Sequence, residues 1–281
     1  MRIVHFCAGL DGWNGMANTA RQFVAEELRA GHDSRLTNDV RELVGSIDVV
    51  HLHGAWLPVL WTAARRAKRL GAKLVIRPAG SYDPVRRRFS GWKKWLVAPW
   101  EHRMLDRADV VEATCPEEAE WIRAYHPRAR VELTDLRRFF DLAKPVSGPP
   151  FRTPVRVLYL GRRHPLKGVE FLERAVGEIE QSNDQSNRTI DLRIVSNVFG
   201  EELEKIWAWC DVLCLPTLSE NFGRVVAEAL EHGKHVVVTD GAPVWADLTP
   251  EQGIYLRGYR DGTDAQRVEL LKRGLMRVLG K

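Results

Sequence analysis

Two α/β domains, each built on a parallel sheet of Rossmann-like type, are predicted from three features of this sequence. Short β-branched runs alternate with helical stretches almost to the last of its 281 residues. The strand-like runs are apolar over nearly their whole length, and one proline-rich break falls near the middle. Such alternation implies parallel sheets covered by helices on both faces. The length suffices for two domains of ordinary size, and 44% hydrophobic with 28% charged residues can build proper cores.

In the first half, strands are predicted at Arg2–Cys7, Asp48–Leu52, Lys73–Arg77, Asp109–Ala113 and Arg130–Thr134. In the second they are predicted at Val155–Leu160, Asp191–Val195, Asp211–Leu215, His235–Thr239 and Gly253–Leu256. The turn Gly9–Gly15 (GLDGWNG) should lead into a helix from near Asn18. Thr114-Cys115-Pro116-Glu117 has the spacing of a capping box with proline in the first turn, so a helix is expected there as well. Phe222, Val225, Val226, Ala229 and Leu230 recur at helical spacing and define one buried face. Gln181–Arg188 reads as a polar surface loop. Ala143–Pro154, with four prolines and one glycine, reads as the linker between domains 1–146 and 147–281. Ligands in such folds bind beyond the carboxyl ends of the strands, so the two domains are expected to face each other across a cleft.

Composition narrows the function classes. Cys7, Cys115, Cys210 and Cys214 form no C-x-x-C pair, and three lie in apolar strand-like runs, as buried free thiols do. That favours a reducing cytosol over a disulfide scaffold. The apolar stretch Ile3–Leu10 is too short for a signal sequence, and no run approaches a membrane span. A cytoplasmic protein, soluble or peripheral to a membrane, is expected. The net charge of +5 is uneven: residues 1–145 hold 24 Lys+Arg against 18 Asp+Glu, and residues 65–107 hold 13 against 3. Such a patch suits nucleic acid, anionic lipid or a phosphorylated substrate. Its aromatic residues follow no RNA-binding pattern, and no nucleic-acid partner is expected.

The most informative segment is Asp211–Trp245. A buried strand ends at Pro216, a loop of residues 217–221 leads to Phe222-Gly223, and a helix follows. Unpaired N–H groups at a helix start make an anion site, and glycine admits a ligand close to the backbone. Glu220 before that site and Glu228 inside the helix would flank a docked diphosphate, with acceptor-only carboxylates suited to sugar and ribose hydroxyls. The segment resembles the donor site of retaining glycosyltransferases of family 4, which have the GT-B fold. The two glutamates stand eight positions apart around Phe222-Gly223, and Gly241-Ala242-Pro243-Val244-Trp245 resembles a turn of polysaccharide-building members. The resemblance implies that Glu220 contacts the transferred sugar and Glu228 the ribose, with Asn221, Phe222 and Gly223 between them at the donor.

Leu158–Gly168 carries a second match. The family places an arginine after the strand's glycine and a lysine before the next one, both on the donor diphosphate; Arg162 and Lys167 occupy those places. Fixed cations there would neutralise charge on a departing nucleoside diphosphate. Arg163 and His164 read as bystanders. In the first half Gly15 closes a loop that could admit acceptor or donor phosphate, and His51-Leu52-His53-Gly54-Ala55-Trp56 resembles an H-x-H-G-x-W stretch of polysaccharide-type members. His51 is expected to be buried and structural and His53 to line the cleft, with no metal site implied. The sequence departs from the family in its shortness after Val195, which bears on the base pocket, and in Pro78-Ala79-Gly80 where many members place a histidine.

The resemblance implies metal-independent, retaining transfer of a hexosyl group from a nucleotide-diphosphate sugar, UDP-sugar favoured over GDP-sugar, with no further cofactor. The acceptor would be a glycan or lipid-linked sugar of the polysaccharide or lipopolysaccharide type. A non-catalytic nucleotide-sugar-binding relative is the alternative, with a basic nucleic-acid-binding protein behind it; a Rossmann oxidoreductase is disfavoured because no G-x-G-x-x-G follows the first strand. Arg86–Trp100 (RRRFSGWKKWLVAPW) mixes five cations with Phe89, Trp92, Trp95 and Trp100, the mixture of a segment facing an anionic membrane or a solvated helix.

Overall fold

Both sheets are wholly parallel, and both have the same strand order. The computed structural model describes residues 1–10, 15–89, 91–149, 151, 153–182 and 189–280. The chain divides into two units, Met1–Leu136 and Arg137–Lys281. In the first, β1 (Arg2–Cys7), β2 (Asp33–Thr37), β3 (Val49–His53), β4 (Lys73–Arg77), β5 (Val110–Ala113) and β6 (Val131–Leu133) lie in the order β2-β1-β3-β4-β5-β6. The intervening helices are α1 (Gly15–Arg29), α2 (Pro58–Arg69), α3 (Pro84–Arg88), α4 (Gly91–Leu105) and α5 (Pro116–Tyr125).

In the second unit β7 (Val155–Leu160), β8 (Ile190–Val195), β9 (Val212–Leu215), β10 (His235–Thr239) and β11 (Gly253–Leu256) lie in the order β11-β10-β9-β7-β8. Helices α6 (Val169–Gln181), α7 (Gly200–Trp209), α8 (Arg224–Glu231) and α9 (Asp264–Val278) accompany them. In each unit the first strand lies between the second and the third. The order therefore reverses between β1 and β3, and again between β7 and β9. Crevices at such reversals, beyond the carboxyl ends of the strands, are where open α/β sheets bind ligands.

The two faces of the first sheet differ. Val4, Phe6, Val50, Leu52, Leu74, Ile76, Val111 and Ala113 alternate onto one face and form a core with Leu60, Ala63 and Ala64 of α2. The intervening residues His5, His51, His53, Arg77 and Glu112 belong to the opposite set, and all but Glu112 are fully buried. His5, His51 and His53 pack on Phe23 of α1.

Three sequence expectations are corrected. β2 was not expected; it is a polar edge strand whose Ser34 and Thr37 are buried. Thr114 does not cap α5. Cys115 is the N-cap residue and makes no side-chain cap, while Glu118 reaches back to accept from both N and Oγ1 of Thr114, at 2.8 and 2.7 Å. The division between units falls after Leu136 rather than after residue 146. The reason is that Arg137 forks onto Asp247 at 2.8 and 2.9 Å and stacks over Trp245, while Phe140 packs on Phe222. Of the loop predicted at 181–188, residues 183–188 lie outside the described residues, as do 11–14 of the Gly9–Gly15 turn.

Gly168 joins β7 to α6 with φ +61°, and a Cβ there would stand 2.1 Å from the Pro216 carbonyl oxygen. Only glycine meets both the left-handed backbone and the close approach. Gly168→Ala should therefore destabilise the second unit by about 2 kcal/mol or more, and urea unfolding followed by circular dichroism would measure it. Alanine tolerated at no cost would contradict this packing.

Candidate functional site

The loops after β7 and β9, flanking the reversal of the second sheet, are tied together by backbone groups. Leu218 N–H and Thr217 Oγ1 both donate to the Leu166 carbonyl, at 2.8 and 2.9 Å. The loop after β10 joins them: Thr239 Oγ1 donates to the Thr217 carbonyl at 2.6 Å, and Glu220 N–H to that of Gly241 at 2.7 Å. Tyr259 Oη closes the underside on the Pro216 carbonyl at 2.8 Å. Gly241 is required here, since a Cβ on it would lie 2.0 Å from the Thr217 oxygen. Three loops at the carboxyl end of the sheet thus form one rigid surface.

The side chains singled out from the sequence sit on that surface. Arg162 is exposed just beyond β7, and Tyr159 Oη donates to its carbonyl at 2.9 Å. Lys167, at the end of the same loop, makes an ion pair with Glu220 from the loop after β9. Glu220 also accepts from Asn221 N–H at 3.1 Å. Gly223, with φ +65°, turns the chain into α8, whose Val226 N–H donates to the Gly223 carbonyl at 2.8 Å. Glu228 lies one turn into α8 and pairs with Arg224 at 3.3 Å. Burial raises the Glu228 carboxyl above its ordinary range and lowers the Arg224 guanidinium, each opposed by the other's charge. Phe222 offers the site its backbone: its ring is buried between Trp245 and Phe140, and Trp245 Nε1 donates to its carbonyl at 2.5 Å. Arg163 and His164 have structural partners. Arg163 forks onto Glu173 at 2.6 and 2.9 Å, and His164 Nδ1 accepts from Leu166 N–H at 3.1 Å. Gly15 opens α1 in the first unit and belongs to a different body from the other candidates.

Sequence reasoning missed Arg224 and His5. The i, i+4 spacing of Arg224 and Glu228 was available as a signal; nothing near His5 announced its partners. His51 and His53 were expected to point in opposite directions. They stand two apart on β3 and so share a face, their rings stacked 4.4 Å apart, and His53 is buried. β1 pairs in register and adds His5, whose Nδ1 lies 2.9 Å from His53 Nε2 and whose Nε2 lies 2.8 Å from Glu27. Burial holds His53 well below the ordinary imidazole range and lowers His5, with neighbouring His51 adding to both. Burial works the other way on Glu112, but His51 beside it brings that carboxyl down to about 2.

Comparison with known proteins agrees with the two-unit fold. Residues 4–135 match the family described as Glycosyl transferase 4-like domain, and residues 189–264 that described as Glycosyl transferases group 1. A D-inositol 3-phosphate glycosyltransferase of Corynebacterium diphtheriae is 27% identical over 201 residues, 57% of this chain and 47% of that protein. The chain spans about half the length of the curated relatives it matches. Among solved structures, sucrose-phosphate synthase from Thermosynechococcus elongatus is similar with a TM-score of 0.69 at 15% identity, over 100% of this chain and 90% of that one. WaaG, a glycosyltransferase involved in lipopolysaccharide biosynthesis, is similar with a TM-score of 0.57 at 13% identity, over 97% and 90%. Two parallel-sheet units with these neighbours define a GT-B protein. The first unit thus carries a match to a Glycosyl transferase 4-like domain and the second a match to Glycosyl transferases group 1.

Because Arg224 and Glu228 are partly shielded from water, their coupling should be measurable. Arg224→Ala and Glu228→Gln together should cost less than the sum of the two single changes, by about 1 kcal/mol. Denaturant melts of the four proteins close this cycle, and additive losses would mean the two side chains stabilise the unit independently.

Proposed function

We propose that this chain transfers a hexosyl group from a nucleotide-diphosphate sugar to a glycan or lipid-linked acceptor, with retention and without a metal. UDP-sugars are favoured over GDP-sugars, and the setting is polysaccharide or lipopolysaccharide assembly on the cytoplasmic side of a membrane. The observation that carries this reading is the meeting of Lys167 and Glu220, from two loops flanking the strand-order reversal, beside the start of α8. A cation, a carboxylate and the positive end of a helix are what a sugar diphosphate needs: charge neutralisation for the phosphates and an acceptor for a sugar hydroxyl.

In this reading Arg162 and Lys167 take the diphosphate, so that an arriving donor replaces Glu220 as the partner of Lys167. Glu220 is thereby released to accept from hydroxyls of the transferred sugar. Glu228 accepts from the ribose, and Arg224 holds its carboxylate in place. The acceptor oxygen then bonds to the anomeric carbon as the bond from that carbon to the diphosphate oxygen breaks. The acceptor proton passes to the departing diphosphate, whose charge the two cations stabilise. No side-chain base is required. The similarity to WaaG supports the assignment to lipopolysaccharide-type assembly.

Arg162→Ala and Lys167→Ala should each weaken UDP binding by roughly 10- to 100-fold, the loss expected for a charged hydrogen bond, with little change in melting temperature. Calorimetry decides, and unaltered affinity in both variants would remove the diphosphate from this surface. Glu220→Ala should abolish transfer from labelled UDP-sugars while free UDP still binds, whereas Glu228→Ala should weaken UDP itself. The reverse pattern would invert the orientation of the donor, and UDP-sugar binding by the wild type without transfer or hydrolysis would leave a binding protein.

The first unit supports the membrane side of the proposal. Phe89, Trp92, Trp95, Leu96 and Trp100 are 43, 67, 76, 52 and 50% exposed. Trp92, Trp95, Leu96 and Pro99 fall at i, i+3, i+4, i+7 of α4 and make one outward stripe. The opposite side is fixed, because buried Glu101 accepts from Tyr82 Oη at 2.6 Å, Trp61 Nε1 at 2.7 Å and Trp56 N–H at 3.1 Å. A core helix would not leave indoles in water, and Arg87, Arg88 and Lys93 are exposed beside them. Indoles at headgroup depth and cations worth about 1 kcal/mol each on an anionic surface fit reversible docking. Among the described residues no helix is long and apolar enough to cross a membrane. In flotation assays the protein should rise with anionic vesicles and not neutral ones, less so in high salt, and Trp92→Ser with Trp95→Ser should abolish recovery. Equal recovery with both vesicle types, or none with either, would leave a soluble acceptor.

A further inference from the structure

The sheet of the first unit carries a second chemical centre that the donor reading does not use. His5 of β1 and His51 and His53 of β3 are 0, 4 and 1% exposed. Each ring offers one nitrogen such that the three nitrogens lie within 4.8 Å of one another. Two rings have a carboxylate behind them. His5 Nε2 is 2.8 Å from Glu27, which also accepts from Ser34 Oγ at 2.6 Å, and His51 Nε2 stands 3.2 Å from Glu112. A carboxylate on the far nitrogen is the arrangement that orients metal-ligating imidazoles and raises their basicity.

The hydrogen bonding within the cluster does not close. With Nε2–H of His5 donating to Glu27, His5 Nδ1 is an acceptor and His53 Nε2–H must donate to it. Among the described residues His53 Nδ1 is then left buried with no hydrogen-bond partner, and the contact of His51 Nε2 with Glu112 is off the hydrogen-bond direction. Polar atoms abandoned inside a protein cost free energy unless something else binds them. The cluster lies in the carboxyl-terminal half of β1 and β3, at the strand-order reversal of the first sheet, and packs on Phe23 of α1.

We propose that His5, His51 and His53 bind one divalent first-row transition ion, with Glu27 and Glu112 orienting the ligands. Imidazole nitrogens suit zinc and its neighbours, and three protein ligands leave a position for water or one more group. The ion fastens α1 to β1 and β3 and takes no part in the transfer chemistry, so its presence is independent of the proposed donor site.

The test uses the full chain stripped by a chelator and then titrated with Zn²⁺ or Co²⁺. One Zn²⁺ per chain should survive desalting and raise the melting temperature, and Co²⁺ should show the intense visible bands of a four- or five-coordinate nitrogen site. His53→Gln should lower Zn²⁺ affinity at least tenfold and Glu27→Gln by about 10- to 100-fold. His102→Gln, which breaks the separate His102–His126 contact on α4 and beyond α5, should change nothing. If His53→Gln fails to fold, nitrogen NMR of the wild-type imidazoles replaces it, and the His5, His51 and His53 signals should shift on adding Zn²⁺. The proposal is overturned by the absence of stoichiometric Zn²⁺, by an affinity that follows His102 rather than His53, or by ring signals that Zn²⁺ does not move.

Discussion

The close approach of the loops after β7 and β9 governs the second unit. Gly168 and Gly241 let backbone lie on backbone where any Cβ would collide with the carbonyls of Pro216 and Thr217. That contact satisfies the Leu166, Thr217 and Gly241 carbonyls at the end of the sheet, where strand and helix ladders have stopped. It also fixes Lys167 opposite Glu220, residues 53 positions apart. Loops held this tightly present charges at set positions without needing further ordering when a ligand arrives.

The same strand order performs a different task in each unit. In the second, the reversal between β7 and β9 carries partly exposed charged-type side chains beyond an apolar β9 and a buried β10. In the first, the reversal between β1 and β3 lies over a buried histidine face, while the other face of the sheet is an ordinary aliphatic core. A polar face under a helix is costly in free energy, since each imidazole and carboxylate must be satisfied away from water. The aliphatic face must supply much of the stability that the histidine face does not.

Helix α4 shows packing and exposure separated along one element. Its last two turns are anchored by Glu101, whose burial raises its carboxyl above the ordinary range even though three donors oppose the shift. Its first turns hold the indoles outward, and Pro99, lacking an N–H, lies between the two regions. Lys94 reaches back to the Arg86 carbonyl at 2.7 Å, which ties the cationic α3 to the same surface.

Local pattern in the sequence was enough for every strand that is apolar on one or both faces, because the two-residue period and β-branched composition survive without tertiary context. It failed at β2, whose DSRLT is stabilised by pairing with β1 and not by its own hydrophobicity. It also failed at residues 137–146, where Arg137 and Phe140 pack with the second unit through partners more than eighty positions away. The donor candidates were picked out by resemblance to a family motif, whose glycine, arginine, lysine and glutamate positions fall on strand-to-helix loops. Their pairing was not: that Glu220 meets Lys167, that Glu228 is held by Arg224, and that Phe222 is a packing residue depend on which loops lie side by side. The histidine cluster belongs wholly to the tertiary structure. Two of its rings are neighbours in sequence, but the third arrives by parallel register from a strand 46 residues earlier, His5 opposite His51. Sequence determined which residue types could act, and strand order decided which of them meet, because side-chain chemistry is local while parallel pairing joins distant segments.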